Sequence, residues 1–206
     1  MKKLLVLLLI TICVGTALYA EGQAEGGKEK VYKLRTSTNL GPKGTVGRAL
    51  NYFVEEINKA AEGRIEATAN YGSELGMQRE QVEMCKTGSL EMVVSAPGTG
   101  PGAYVPHLQA IDLPYLYKNE EHFVRVIKGV EDYITKVLEP HNMVAIGGQN
   151  MGFRHMLVKP RPIYEPSDLE GLKMRGPNPV FVDMFEALGA SGMTTDWNQI
   201  YTALQT

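Results

Sequence analysis

From residue 31 onward, short runs rich in β-branched and apolar residues alternate with stretches whose apolar residues recur at helical spacing. "VYKLRTST" (31–38) reads as a strand, and Val46, Ala49, Leu50, Phe53, Val54, Ile57, Ala60 and Ala61 then trace one helical face from Thr45 to Gly63. "RIEATAN" (64–70) gives a second strand and residues 80–87 a short helix stopped by Gly88. "LEMVVSA" (90–96) is a third strand whose nearly continuous apolar centre suits a buried parallel position. After the Pro/Gly-rich loop "PGTGPGAYVP" (97–106), Asn119 opens a long helix with Phe123, Val126, Ile127, Val130, Ile134, Val137 and Leu138 on one face, ended by Pro140. "MVAIGG" (143–148) is the next strand. This order predicts an α/β fold with parallel or mixed sheets, whose ligand sites lie beyond the carboxyl ends of the strands, here residues 39–43 and 95–102.

Small residues around 147–152 predict a crossover, so residues 31–150 form one α/β lobe and residues 151–206 begin a second. The second lobe opens with the strand "FRHMLV" (153–158) and the loop "RPIYEPSDLEG" (161–171), and continues with "GLKMRGPNPVF" (171–181). A helix over 179–188 is closed by Gly189, and another starts at Asp196, with Gln199 completing a capping box. Its pattern is unfinished at Thr206, so a truncated chain with an incomplete second lobe is expected.

The N-terminus has a different character. Lys2 and Lys3 precede an apolar run over 4–14 and small residues ending at Ala20, the layout of a signal peptide over 1–20, too short in its apolar part to span a bilayer. Residues 21–30 then form a polar, Gly-rich leader. An exported, periplasmic product follows. Anchoring through a lipidated Cys13 is the lesser reading, because bulky Ile12 precedes it. With the signal removed Cys85 is the single cysteine, so the fold relies on packing rather than a disulfide; as a small apolar helix residue it has no assigned role.

Composition excludes some functions. A net charge of −2 and no Lys/Arg block beyond Lys2-Lys3 argue against nucleic acid. The four histidines show no metal-ligand spacing, and "GTGPG" (98–102) lacks the Lys-Ser/Thr of a phosphate loop, so neither metal nor cofactor is expected. No nucleophile or zinc-protease motif is present, which makes an enzyme the minority reading.

Arg175 stands out instead. Asn178 is a favoured helix N-cap and Pro179 a favoured first helical residue, so the free N–H groups of a helix start would open near the guanidinium; both bind anions. The competing reading is an internal ion pair with Asp168 or Glu170, and spacing alone does not choose. Arg154, between Phe153 and Met156-Leu157-Val158, needs a partner if buried and is otherwise an outward-facing strand residue. Trp197, after the Asp196 cap, has the position of a core aromatic as much as of a ligand platform.

Four segments carry a family resemblance: "YGSELGMQREQVEMCKTGSLEM" (71–92), "IDLPYLYKNEEH" (111–122), "GFRHMLVKPRPIYEPSDLEGLKMRGPN" (152–178) and "LGASGMTTDWNQIYTALQT" (188–206). In this order and spacing the chain resembles the DctP-type substrate-binding subunit of tripartite ATP-independent periplasmic (TRAP) transporters. The resemblance implies a two-lobed periplasmic-binding-protein-like fold that closes over a small organic acid, a dicarboxylate among the candidates, and delivers it to the TRAP membrane permease subunits. It implies no catalysis, and a monomer is expected. It makes Arg175 the principal salt bridge to the ligand carboxylate and Arg154 a second contact, with Asn39, Asn178 and Trp197 lining the site. Ala96 and Pro97 stand where some members have polar contacts, and the family pattern continues past "ALQT". A ligand sensor, an exported enzyme or a nonfunctional remnant are the rival readings.

Overall fold

Strand β1 (Tyr32–Ser37) is the middle strand of a three-stranded sheet of order β2-β1-β3, with β2 spanning Ile65–Asn70 and β3 Met92–Val93. The structure, a computed structural model, describes residues 30–159 and 161–205; the signal peptide, Cys13, nearly all of the leader and the final residue lie outside them. Residues from Lys33 onward form one compact unit, and of the preceding unit only residues 30–32 are described.

β1 and β3 run parallel, Thr36 opposite Met92 and Ser37 opposite Val93. Parallel neighbours require a crossover, here helix α1 (Thr45–Ala60), β2 and helix α2 (Gln78–Lys86). α1 buries Val46 and Leu50 and half-buries Phe53 and Ile57, the spacing of one helical face. It ends where Glu62 and Gly63 both turn left-handed. Asn58 fastens it to β2, donating to Ala67 O at 3.0 Å and accepting from Ala67 N at 2.7 Å. α2 starts two residues earlier than the sequence suggests, because the Glu80 carboxylate reaches back to the Met77 N–H at 2.6 Å.

Helix α3 (Glu120–Leu138) follows the sequence reading closely: Asn119 caps it by accepting from His122 N at 2.8 Å. With α2 it encloses a core of Val82, Val105, Leu108, Leu138 and Met143, against which Cys85 packs as a half-buried free thiol. Burial, more than any other influence, raises the thiol's pKa, in keeping with a packing role.

Three expected strands are corrected. β3 shrinks from 90–96 to Met92–Val93, because the Ser89 and Leu90 N–H groups close the end of α2 on Met84 O, and turns on Ala96 O begin at the other end. Residues 143–146 alternate as a strand should, with Met143 buried and Val144 and Ile146 exposed, yet 143–148 form no ladder; 153–158, exposed from Phe153 through Leu157, form none either. A strand exists by pairing, and no described strand lies beside either segment.

The second sheet is the parallel pair β4 (Lys173–Gly176) and β5 (Ser191–Thr194), joined by helix α4 (Pro179–Ala187). α4 closes as the sequence anticipates: left-handed Gly189 donates to Glu186 O and Ala190 to Phe185 O, the paired bonds of a Schellman stop. Leu169, Met174, Phe185 and Ala190 form the core beneath. Leu169 is 2% exposed, so Leu169→Ala is expected to cost about 2–5 kcal/mol, read as a lower urea midpoint at unchanged slope.

The helix expected from Asp196 is also corrected. Gln199 N donates to Asp196 O at 3.0 Å, making a 3₁₀ turn (Trp197–Gln199) before a four-residue helix α5 (Ile200–Ala203), and the Asp196 side chain caps nothing. No described helix is long and apolar enough to cross a membrane.

Candidate ligand-binding site

Arg175 projects from β4 opposite Met193, one residue before the strand ends at Gly176. Its half-buried side chain crosses to the loop after β5, where Nε and Nη2 both donate to the Thr195 carbonyl, at 2.8 and 2.5 Å. That carbonyl occupies one edge of the guanidinium. Nη1 donates to no described residue, so the end-on pair of Nη1 and the second Nη2 hydrogen is left for another acceptor.

The internal ion pair weighed for Arg175 does not form. Asp168 instead accepts from the Tyr164 and Glu165 N–H groups, at 2.9 and 3.1 Å. The described ion pairs are Arg35–Glu91, Lys59–Glu56 and Lys86–Glu83, none of them involving Glu170. Burial, then the like charge of Arg154, pull the Arg175 pKa below its ordinary value, against a smaller opposing influence from Asp196. Guanidinium basicity is high enough that the group stays charged at neutral pH. Two cations thus share one neighbourhood, with no carboxylate among the described residues in salt-bridge contact with either.

Arg154 is solvent-exposed, and its guanidinium carbon lies 5.1 Å from the centre of the Phe181 ring in the first turn of α4. The same helix start carries Asn178, fully buried, in the extended backbone conformation of an N-cap. Its side chain, however, caps nothing. Nδ2 donates to Asp112 Oδ2 at 2.9 Å and lies 3.4 Å from Thr99 Oγ1, while Oδ1 has no partner. Of the N–H groups at this helix start, Pro179 supplies none and those of Phe181 and Val182 go to Asn178 O.

Asp112 escaped the sequence reading. It sits in the apolar run "AIDLP", and a carboxylate there had to find donors, which was the available signal. Burial raises its pKa most, opposed by Arg154, the Asn178 amide and the Gly98 N–H. Asn39 is half-buried in the loop after β1, behind the fully buried Thr36, Ser37 and Thr38, and Trp197 is 53% exposed. No hydrogen bond or ring contact among the described residues ties either to the arginines. The structure therefore gathers Arg154, Arg175 and Asn178, adds Asp112 and Thr99, and among the described residues gives Asn39 and Trp197 no hydrogen bond or ring contact to them. No group of three potential metal-ligating side chains occurs among the described residues.

Comparison with known proteins places the chain in a family. Residues 36–206 match the DctP family, described as bacterial extracellular solute-binding protein, family 7. A solute-binding protein of Verminephrobacter eiseniae is 32% identical over 162 residues, covering 77% of this chain and 48% of its own. Among solved structures, a TRAP periplasmic solute-binding protein from Polaromonas sp. JS666 bound to D-erythronate superposes with a TM-score of 0.79 at 27% identity, over 84% of this chain and 58% of the other. One from Pseudomonas putida F1 with bound D-glucuronate gives 0.76 at 26% identity, over 84% and 57%. The chain spans about half the length of the curated relatives it matches. With both its length from β1 onward and its parallel α/β architecture shared, the chain belongs to the DctP family of bacterial extracellular solute-binding proteins.

Proposed function

We propose that the protein is a periplasmic solute-binding component of TRAP-type uptake that captures a small organic acid through an arginine-carboxylate salt bridge. In this reading residues 31–150 form the first lobe and residues 151–206 begin the second, a leader over 1–20 directs export, and the loaded monomer delivers its ligand to TRAP permease subunits. The observation that carries it is the state of Arg175: half-buried, braced along one edge by the Thr195 carbonyl, beside a second cation, and with its end-on N–H pair unused. Such a fork matches a carboxylate in geometry and charge. Sugar acids are the first ligand class to try, given the D-erythronate and D-glucuronate held by the two solved relatives.

A thermal-shift screen of organic acids tests the reading. A ligand at a hundred times its Kd stabilises the folded state by about 2.7 kcal/mol, a readily visible rise in melting temperature. At least one sugar acid is expected to give that rise, while its methyl ester and the parent neutral sugar give none. Equal stabilisation by acid and ester would remove the salt bridge from the account.

A further inference from the structure

We propose that Asp112 is a positioning residue of this carboxylate site, a clasp that fastens Asn178 and steadies Arg154 from the segment preceding α3. The proposal rests on the carboxylate-binding reading of the arginines. Asp112 lies 66 residues from Asn178 in sequence, yet its Oδ2 is the acceptor for the Asn178 amide. The clasp draws on three further parts of the chain: the backbone at Gly98 in the loop after β3, which lies against Asp112 Oδ2, the head of α4, and the charge of Arg154 from the segment over 153–158.

Its construction is specific. A carboxylate only accepts, so the Asn178 amide must present its NH₂ group, which leaves Oδ1 buried and unpartnered. A buried orphan carbonyl is costly, and a fold tolerates it where the other end of the amide is firmly held. Glycine at residue 98 leaves the clasp its room, since a Cβ there would stand 2.5 Å from Asp112 Oδ2 and 3.1 Å from Asn178 Nδ2 and press on both side-chain ends. Asn178 follows Arg175 by three residues, through buried Gly176, so holding Asn178 holds the strand end from which Arg175 projects. Among the described residues Arg154 has no carboxylate in salt-bridge contact; Asp112 is a carboxylate close enough to feel its charge, and the Phe181 ring centre lies 5.1 Å from its guanidinium carbon. Asp112 thus acts on the site through both arginines, as a brace.

Calorimetry with D-glucuronate as the probe, beside melting curves for every variant, tests this. Asp112→Ala is expected to weaken binding about tenfold, and Asp112→Asn, which keeps the shape and an acceptor atom but loses the negative charge, by a smaller factor. Asn178→Asp alone sets two carboxylates face to face and is expected to lose at least as much. The reversed pair Asp112→Asn with Asn178→Asp restores a donor opposite an acceptor and is expected to bind more tightly than Asn178→Asp alone, a rescue that a merely structural role would not produce. Should Asp112→Ala fail to fold, the Asp112→Asn variant and the reversed pair decide the matter. Wild-type affinity in the Asp112 variants, or a reversed pair no better than Asn178→Asp, overturns the positioning role while leaving the salt bridge standing. No binding of any carboxylate by the wild-type protein overturns both.

Discussion

Arg175→Lys weakens carboxylate binding by at least about tenfold at neutral pH, with little change in melting temperature. The substitution keeps the positive charge and removes the planar fork, so it separates geometry from electrostatics. A hydrogen bond to a charged group contributes about 1.5–3 kcal/mol net, and about 1.4 kcal/mol is a factor of ten in affinity. Lysine also gives up the two bonds by which Nε and Nη2 brace the side chain on Thr195 O, leaving its ammonium free to wander among solvent and neighbours. The stability cost is confined to those half-exposed bonds, which the lysine ammonium and water can replace in part, because among the described residues the guanidinium forms no ion pair whose partner would be orphaned. Isothermal calorimetry on both proteins checks the affinity; equal values would show that charge alone, or another residue, holds the ligand.

Gly47→Ala and Gly129→Ala, two glycines within helices, are expected to shift stability in opposite directions. Helix propensity favours alanine at both, by about 1 kcal/mol. At position 129 in α3 a Cβ would meet nothing within 4 Å, so the gain should appear in full. At position 47 in α1 it would stand 2.3 Å from Gly41 O and 2.6 Å from the Pro42 backbone, and none of those atoms belongs to a movable side chain. Either α1 or the loop carrying Asn39 must shift. Overpacking of this kind costs about 1–3 kcal/mol, and for a chain of this size each kcal/mol lowers the melting temperature by about 2–4 °C. Denaturant melts of the two variants read the contrast, and a stabilised Gly47→Ala would mean that the close approach of loop to helix is not maintained in solution.

The helices were legible because their signals are local. Asn119 before α3, Gly63 after α1 and Gly189 after α4 each act within a turn of their own position. Parallel sheets were legible as a class for a related reason, since alternating strands and helices leave few other architectures. The extent of individual strands was not. Residues 143–146 alternate as a strand would and 153–158 are rich in apolar residues, but a strand is defined by a neighbour that no short stretch of sequence can specify.

The site divides along the same line. Arg175 was identifiable as an exceptional charge, yet its partner was not, because the Thr195 carbonyl is a backbone group that any residue type would have supplied. Asn178 was expected to cap α4 and instead turns its amide to Asp112, a long-range contact that overrides the local preference. Asp112 could have been suspected from its apolar surroundings alone. What the residues could not give was its destination, since Gly98, Arg154 and Asn178 come together only in the folded chain.

The most direct test of the arginine-carboxylate account is a crystal structure of the protein grown with D-glucuronate. The account predicts the ligand carboxylate end-on against Nη1 and Nη2 of Arg175, with the Nε and Nη2 bonds to Thr195 O retained and Arg154 alongside. A carboxylate bound away from Arg175, with that guanidinium still donating only to Thr195 O, would contradict it.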